Sequence, residues 1–417
     1  MIFSNKKWEY VKLEEVCCFQ NGFAFKSKMF RDQGTPVLRI SSIQNEELCD
    51  NRPVFVNRND YKEDLAKYEV YNGDLVIAMS GATTGKVGFN NTGIIFLLNQ
   101  RVGKFAPSEK LDIKFLFFYL LAEAEKNLKI SAGSAQPNLS TKQIKSFLLP
   151  LPPLPEQKQT VAILDEAFAG INQAIANTEK NLANAHEVFE SYLNGVFTRK
   201  GGGWADKKLS EILETGPRNG WSPPAKNHSD KGTPVVSLSS VTGFEFNLSK
   251  IKFTSAPVKP EAHYWLENGA LLITRSNTPE LVGHVAVCSG LNEPIIYPDL
   301  IMKMMLDKDV ADTRFIYYQL RSKKLRELIM NSAQGANPTM KKINKSVVQN
   351  LPISLPSLQK QKTIVEKIDA IQKETRLLES IYQKKLTALA ELKQSILHKA
   401  FTGELTQTPE QELFEVC

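Results

Sequence analysis

The chain repeats itself once, and no other feature constrains its fold as strongly. Trp8-Glu-Tyr-Val-Lys-Leu-Glu-Glu-Val16 aligns with Trp204-Ala-Asp-Lys-Lys-Leu-Ser-Glu-Ile212. Gly34-Thr-Pro-Val-Leu-Arg-Ile-Ser-Ser-Ile43 aligns with Gly232-Thr-Pro-Val-Val-Ser-Leu-Ser-Ser-Val241, and Asn72-Gly-Asp-Leu-Val-Ile77 with Asn268-Gly-Ala-Leu-Leu-Ile273. Ser131-Ala-Gly-Ser-Ala-Gln-Pro137 matches Ser332-Ala-Gln-Gly-Ala-Asn-Pro338, and Leu151-Pro-Pro-Leu-Pro-Glu-Gln-Lys158 matches Leu355-Pro-Ser-Leu-Gln-Lys-Gln-Lys362. The blocks keep their order, and the offset grows only from 196 (Trp8 to Trp204) to 204 (Leu151 to Leu355). A unit of about two hundred residues is too long for a solenoid repeat, so each copy must hold its own core. The 417 residues fit two to four domains at roughly 100–200 residues each.

Each copy reads as a globular part followed by a long helix. Short runs rich in β-branched residues, Pro36–Ile43, Asp74–Met79 and Ile94–Leu98, are punctuated by Gly, Asn and Pro and predict strands and turns. Lys114–Lys129 has helical apolar spacing, and Ser140-Thr-Lys-Gln143 has the pattern of a capping box. The globular part is therefore expected to be mixed α+β. Pro150–Pro155 (PLPPLP) predicts an extended, non-helical strap. After it, Val161, Leu164, Phe168, Ile171, Ile175, Thr178, Leu182, Ala185, Phe189, Tyr192 and Val196 keep strict 3,4 spacing, the seam of a coiled coil. The second copy offers Ile364, Ile368, Ile371, Thr375, Leu378, Tyr382, Leu386, Leu389, Leu392, Ile396 and Ala400, with one expected register shift around Tyr382–Leu392.

These signals divide the chain into a first domain (1–156), a central helix (157–197), a second domain (198–357), a C-terminal helix (358–401) and an acidic tail (402–417). At 1.5 Å per residue each helix is about 60 Å long. The central helix carries 2 Lys+Arg and 5 Asp+Glu, and the C-terminal helix 9 and 5. Similar lengths and opposite net charge predict that the two pair as an antiparallel coiled coil, burying Phe168, Ile171, Ile175 and Leu182 against Ile368, Ile371, Leu378 and Leu389. Burying one such side chain is worth about 1.5–3 kcal/mol, against less than about 1 kcal/mol for a surface ion pair, so the seam stabilises and charge selects the partner.

Most of the positive charge lies in the two long segments outside the helices. Residues 1–156 carry 20 Lys+Arg and 17 Asp+Glu, and residues 198–357 carry 21 and 14. Composition is that of an ordinary globular protein, 42% hydrophobic and 23% charged. The longest apolar run, Phe115–Ala122, is too short to span a bilayer. The N-terminus has no apolar core followed by a cleavage site, so a cytoplasmic protein is expected. The 5 cysteines form neither a C-x-x-C pair nor a zinc spacing, which predicts reduced thiols.

The motifs that approach catalysis all fall short. Gly81-Ala-Thr-Thr-Gly-Lys86 has one residue too few for a phosphate loop, and Val87 stands where a magnesium-binding Ser or Thr belongs, so a tight strand-to-strand turn is expected. Ser222-Pro-Pro-Ala225 comes near the motif with which amino-methyltransferases grip a flipped base, but lacks its stacking aromatic. Pro298-Asp299 has no Asp/Glu-x-Lys to complete a nuclease site, and the five histidines show no metal-binding spacing. No catalytic or metal site is read, and a non-catalytic chain is expected.

Gly22-Phe-Ala-Phe-Lys-Ser-Lys28, Asn72-Gly-Asp-Leu75, Leu151-Pro-Pro-Leu-Pro-Glu-Gln157 and the helix end Ser395-Ile-Leu-His-Lys-Ala-Phe-Thr-Gly-Glu-Leu405, in this tandem arrangement, resemble the specificity subunits of type I restriction–modification systems. The resemblance covers nearly the whole chain. It implies a non-catalytic reader of double-stranded DNA, with one target recognition domain for each half of a split site. The helices would set the gap and dock two adenine-methyltransferase subunits, and nuclease–translocase subunits would complete the complex. S-adenosylmethionine, ATP and magnesium would belong to those partners, and no cofactor to this chain.

Two basic lobes suit phosphate neutralisation, and polar side chains at strand ends and turns suit base edges. In the first domain these are Arg39, Ser41, Thr83, Thr84, Lys86 and Arg101, and in the second Arg218, Trp221, Arg275, Ser276 and Asn277. The copies differ at such positions, as at Arg39 and Ser237, which two different half-sites require. The competing expectation is a coiled-coil scaffold that joins protein partners without DNA.

Overall fold

Each copy holds one asparagine–glycine turn, Asn72-Gly73 or Asn268-Gly269, and ends in one proline-containing strap, and the backbone follows one plan twice. The structure is a computed structural model describing residues 8–49, 53–124, 138–337 and 339–406. The matched segment Ser131–Pro137, the end of the run Lys114–Lys129, and the tail from 407 lie outside the described residues. The chain divides into two units, Met1–Glu179 with Lys384–Cys417, and Lys180–Gln383.

In the first unit, the strand Val102–Pro107 lies between Cys17–Asn21 and Leu75–Ala78, antiparallel to both, with Phe105 opposite Phe19 and Gly103 opposite Ile77. Val87–Phe89, Glu47–Leu48 and Ile43–Gln44 extend this sheet to six strands. A four-stranded sheet runs Phe55–Val56, Thr35–Leu38, Phe96–Leu98, Glu69–Val70. In the second unit, Ile301–Leu306 lies likewise between Leu213–Asn219 and Leu271–Thr274. Its companion sheet is Thr233–Val236, Ile251–Thr254 and His228–Ser229.

The strap is part strand and part helix. Leu148–Leu151 pairs with Glu9–Lys12, placing Pro150 opposite Tyr10, and Pro352–Leu355 pairs the same way with Ala205–Lys208. The central helix is Leu154–Thr198, so Pro155 sits in its first turn. That corrects the expectation of a wholly non-helical strap: the N–H that proline lacks has no intrahelical acceptor there in any case. Ser140 forms the expected capping box, accepting from Gln143 N at 3.2 Å while Gln143 Oε1 accepts from Ser140 N at 2.8 Å.

The C-terminal helix is Leu358–Phe401. In the first unit, Val161, Leu164 and Phe168 near the start of the central helix share a core with Leu397 and Ala400 near the end of the C-terminal helix. In the second unit, Phe189, Leu193 and Phe197 share a core with Val365 and Ile368. The end of one helix thus meets the start of the other in each unit, and the pairing is antiparallel. Each lobe packs on the pair through an aromatic helix. Ile113–Ala122 sets Phe118 5.3 Å from Phe168 and Phe115 5.2 Å from Phe401, centre to centre. Thr313–Arg321 sets Phe315 5.4 Å from Phe197.

The expected register shift is absent. Gln361, Val365, Ile368, Gln372, Thr375, Glu379, Tyr382, Leu386, Leu389, Lys393, Ile396 and Ala400 are all buried or half-buried. They step by four and three without a break. Leu378, expected in the seam, is 43% exposed, and Leu377, Ile381 and Leu392 are exposed as well. The seam instead passes through polar residues with partners of their own. Glu379 lies 3.5 Å from His186, and the Lys393 ammonium lies 4.6 Å from the centre of the Phe168 ring. Of the other seam residues expected, Phe168, Ile171 and Ile368 are buried, and Ile175, Leu182, Ile371 and Leu389 half-buried.

Candidate nucleic-acid interface

In the first domain the backbone brings the ends of three strands together. Met79, just past Leu75–Ala78, donates its N–H to Arg101 O at 2.8 Å, and Asn99 N donates to Leu38 O at 3.2 Å. The turn Gly81–Thr83 lies against the turn Ile40–Ser42, where the Thr83 hydroxyl donates to Ile40 O at 3.4 Å. Arg39, Ser41, Thr83, Lys86 and Arg101 therefore share one rim, with Ser41, Lys86 and Arg101 exposed.

Thr84 does not join them. It is 2% exposed and its hydroxyl donates to Gly81 O at 2.7 Å, so it fastens the turn from inside. The surrounding amides are used up as well: Thr84 N donates to Gly81 O, Gly85 N to Ala78 O and Lys86 N to Thr83 O. Gly81 and Gly85 take φ of +82° and +85°, a region glycine enters freely. This is the expected strand-to-strand turn rather than a phosphate cradle.

In the second domain Arg218 is exposed near the end of Leu213–Asn219, and its carbonyl accepts from the Tyr297 hydroxyl at 3.1 Å. Gly220 follows, where a Cβ would lie 2.0 Å from Tyr297 O, so the close approach excludes any side chain. Trp221 stacks on Tyr264 at 5.4 Å between ring centres. Arg275, at the end of Leu271–Thr274, has Nη1 4.0 Å from Asp299 Oδ2, and the Ser222 hydroxyl donates to Asp299 Oδ1.

Ser276 is corrected by its surroundings, whereas Asn277 stays half-buried, as Arg275 does. Ser276 is 1% exposed, because Ser276–Asn277 is itself a strand paired with Lys341–Lys342. Asn277 is half-buried, its Nδ2 donating to Thr242 Oγ1 at 3.3 Å and its Oδ1 accepting from Thr278 N at 2.9 Å. Ser222, Tyr264, Asp299 and Lys342 carry no signal for this rim in the sequence. Ser222 and Asp299 each belong to a fragment of a catalytic motif. The pairing of Lys342 depends on a strand of two residues.

Formal charge overstates the charge that is free. Lys104 Nζ donates to Glu69 O at 2.6 Å and to Asp74 at 3.2 Å. Its counterpart Lys303 donates to Trp265 O at 2.7 Å and to Glu267 at 2.5 Å. Arg326 is buried, donating to Val282 O and Glu280 O, and burial lowers its guanidinium to about 10. The thiols of Cys17 and Cys288 are pushed up to about 12 by burial, which leaves them unreactive. Among the described residues there is no cluster of three or more His, Cys, Asp or Glu able to hold a metal, and no helix long and apolar enough to cross a membrane.

Two copies of one mixed domain, each with a polar, arginine-bearing rim at its strand ends and each followed by a long helix, define a tandem two-domain architecture. Comparison with known proteins identifies its kind. The family model for the type I restriction modification DNA specificity domain matches twice, over residues 5–182 and 201–386, and the chain belongs to this family. It is 28% identical to the type I restriction enzyme EcoKI specificity subunit of Escherichia coli K12, over 96% of this chain and 89% of that protein. It is 25% identical to the StySPI specificity subunit of Salmonella potsdam, with the same coverage of each chain. A solved chain from work on complex assembly and conformational transition of the type I R-M system has the same fold, with a TM-score of 0.75 at 21% identity over 95% of this chain and 98% of that one. The HsdS subunit of Thermoanaerobacter tengcongensis matches with a TM-score of 0.53 at 20% identity, over 95% of this chain and 97% of that one.

Proposed function

We propose that the chain is the DNA-reading specificity subunit of a type I restriction–modification complex, itself without catalytic activity. Each domain reads one half of a split double-stranded target. Phosphates are neutralised by exposed bases such as Lys86, and base edges are read from the strand-end rims. The observation that carries this is the doubled DNA specificity domain, with polar and arginine side chains at strand ends in both copies. Two different rims on one chain suit two different half-sites.

The long helices serve as the docking surface for two adenine-methyltransferase subunits, and nuclease–translocase subunits join the complex through them. The side chains the seam leaves exposed, Leu377, Leu378, Ile381, Leu392 and Val188, offer apolar surface for that docking. S-adenosylmethionine, ATP and magnesium are bound by those partners. The complex works in the cytoplasm, where its DNA is. A scaffold without DNA would have no use for two differing arginine-bearing rims. The test is to map methylated adenines in cells expressing the chain with its methyltransferase subunits. A motif in two fixed parts with an unread gap is expected, and methylation without sequence preference would overturn the proposal.

A further inference from the structure

The two domains build the same backbone junction at their strand ends, but place an arginine on opposite sides of it. Met79 N donates to Arg101 O at 2.8 Å, and Arg275 N donates to Leu300 O at 2.7 Å. The carbonyls of the same strand-end residues accept from Leu139 N at 2.7 Å and from Ile343 N at 2.9 Å. Met79 thus corresponds to Arg275, and Arg101 to Leu300. In the first domain the strand end is an apolar residue, 5% exposed, and the arginine stands exposed on the turn. In the second the strand end carries the arginine, and the turn carries a leucine that is 36% exposed.

We propose that this junction determines specificity in both domains, Arg101 reading a guanine in one half-site and Arg275 a guanine in the other. The inference rests on the DNA-reading function above and adds which base is read and from where. A guanidinium matches guanine O6 and N7 with two parallel N–H groups, the commonest base-specific contact. The strand-end residue is bonded through both its N–H and its carbonyl, so an arginine there is aimed by a rigid backbone rather than by a loop.

Asp299 is the positioning residue for Arg275. Its carbonyl accepts from Arg275 Nη1 at 3.5 Å, its Oδ2 lies 4.0 Å from the same nitrogen, and its carboxylate is held by the Ser222 hydroxyl. One corner of the fork is fixed, and Nε and Nη2 have no hydrogen-bond partner among the described residues. In the first domain the position of Asp299 is taken by Gln100, and Arg101 stands without that brace.

The experiment maps methylated adenines made by the whole complex carrying the wild-type chain, R101A, R275A, R275K or D299N. R275A and R275K are expected to relax one G·C pair of one half-site, with discrimination there falling about 10-fold to 100-fold. R101A should relax one pair of the other half-site, and D299N the same pair as R275A by a smaller factor. R275K keeps the charge and loses the fork, so continued methylation with a relaxed motif separates base reading from a folding defect. A fully specific R275K, an R275A that methylates all sites less with an unchanged motif, or two arginines relaxing the same half-site would each overturn the inference. A wild-type complex with no split motif would instead remove the function beneath it.

Discussion

Gln157 clamps the start of the central helix to Asp112: its Oε1 accepts the Asp112 backbone N–H at 2.8 Å while its amide donates to Lys110 O and Pro152 O at 2.9 and 2.8 Å. Gln361 repeats the arrangement with Asp312 N at 2.9 Å and with Val310 O and Pro356 O at 3.1 and 3.0 Å. Both glutamines are fully buried. Each side chain joins the strap, the long helix and the capped start of the aromatic helix, which explains the Gln shared by Glu156-Gln-Lys158 and Lys360-Gln-Lys362. Replacing Gln157 by Leu removes three hydrogen bonds and leaves their backbone partners unsatisfied, at about 1–3 kcal/mol for such a group. We expect Q157L to lower the stability of the first lobe by about 2–4 kcal/mol and to deprotect the amides of Ile113–Ala122 in hydrogen exchange. Unchanged protection would refute the clamp.

The uninterrupted seam separates two residues that the apolar pattern alone treats alike. Ile368 is fully buried and Leu378 is 43% exposed. I368A should destabilise by about 2–4 kcal/mol, and L378A by no more than about 0.5 kcal/mol. Denaturant midpoints of the two variants decide it. Equal losses would return Leu378 to the seam.

The second lobe carries an acid-sensitive group. His284 is 8% exposed and stacks on Phe244 at 4.0 Å between ring centres. Its Nδ1 accepts from Gly243 N at 3.0 Å, while Nε2 faces Glu280 O at 3.2 Å. Burial first, and the Arg326 guanidinium second, push its pKa down to about 4. The unfolded chain, with an ordinary value of about 6.5, binds the proton more readily. Stability from the neutral imidazole is therefore full above about pH 6.5 and is lost as pH falls through about 4. Thermal unfolding of the second lobe should weaken by an amount on the order of 2–3 kcal/mol across that window, and H284Q should flatten this part of the profile. An H284Q profile as steep as that of the wild type would contradict this.

Lys86 is exposed and lies beyond the turn that Thr84 fastens. As a phosphate contact, its replacement by Ala should weaken duplex binding by the complex equally for all sequences. The slope of log K against log salt should fall by about 0.9. T84V, by contrast, should cost about 1 kcal/mol of stability and leave that slope unchanged. A relaxed motif in K86A would make Lys86 a base reader instead.

Periodicity and self-alignment carried the duplication, the mixed domains and both long helices, because those features are written in spacing. Apolar spacing alone places Leu378 in the seam, whereas Glu379 and Lys393 hold seam positions through a histidine and an aromatic ring. Position at a strand end points to Thr84 and Ser276, but which end residues turn inward depends on non-local pairing, such as Ser276 opposite Lys342. The Met79–Arg101 and Arg275–Leu300 junctions were beyond reach for the same reason. Each joins residues more than twenty positions apart through a main-chain bond that leaves no pattern in the sequence.

The central claim, one domain for one half-site, is tested most directly by replacing residues 1–150 with the equivalent domain of a related specificity subunit and mapping methylated adenines before and after. Each copy has its own tryptophan entry, strand-end rim and strap, so the account predicts that one half of the split motif changes and the other half stays intact. A change in both halves would contradict it, because the domains would then read DNA jointly.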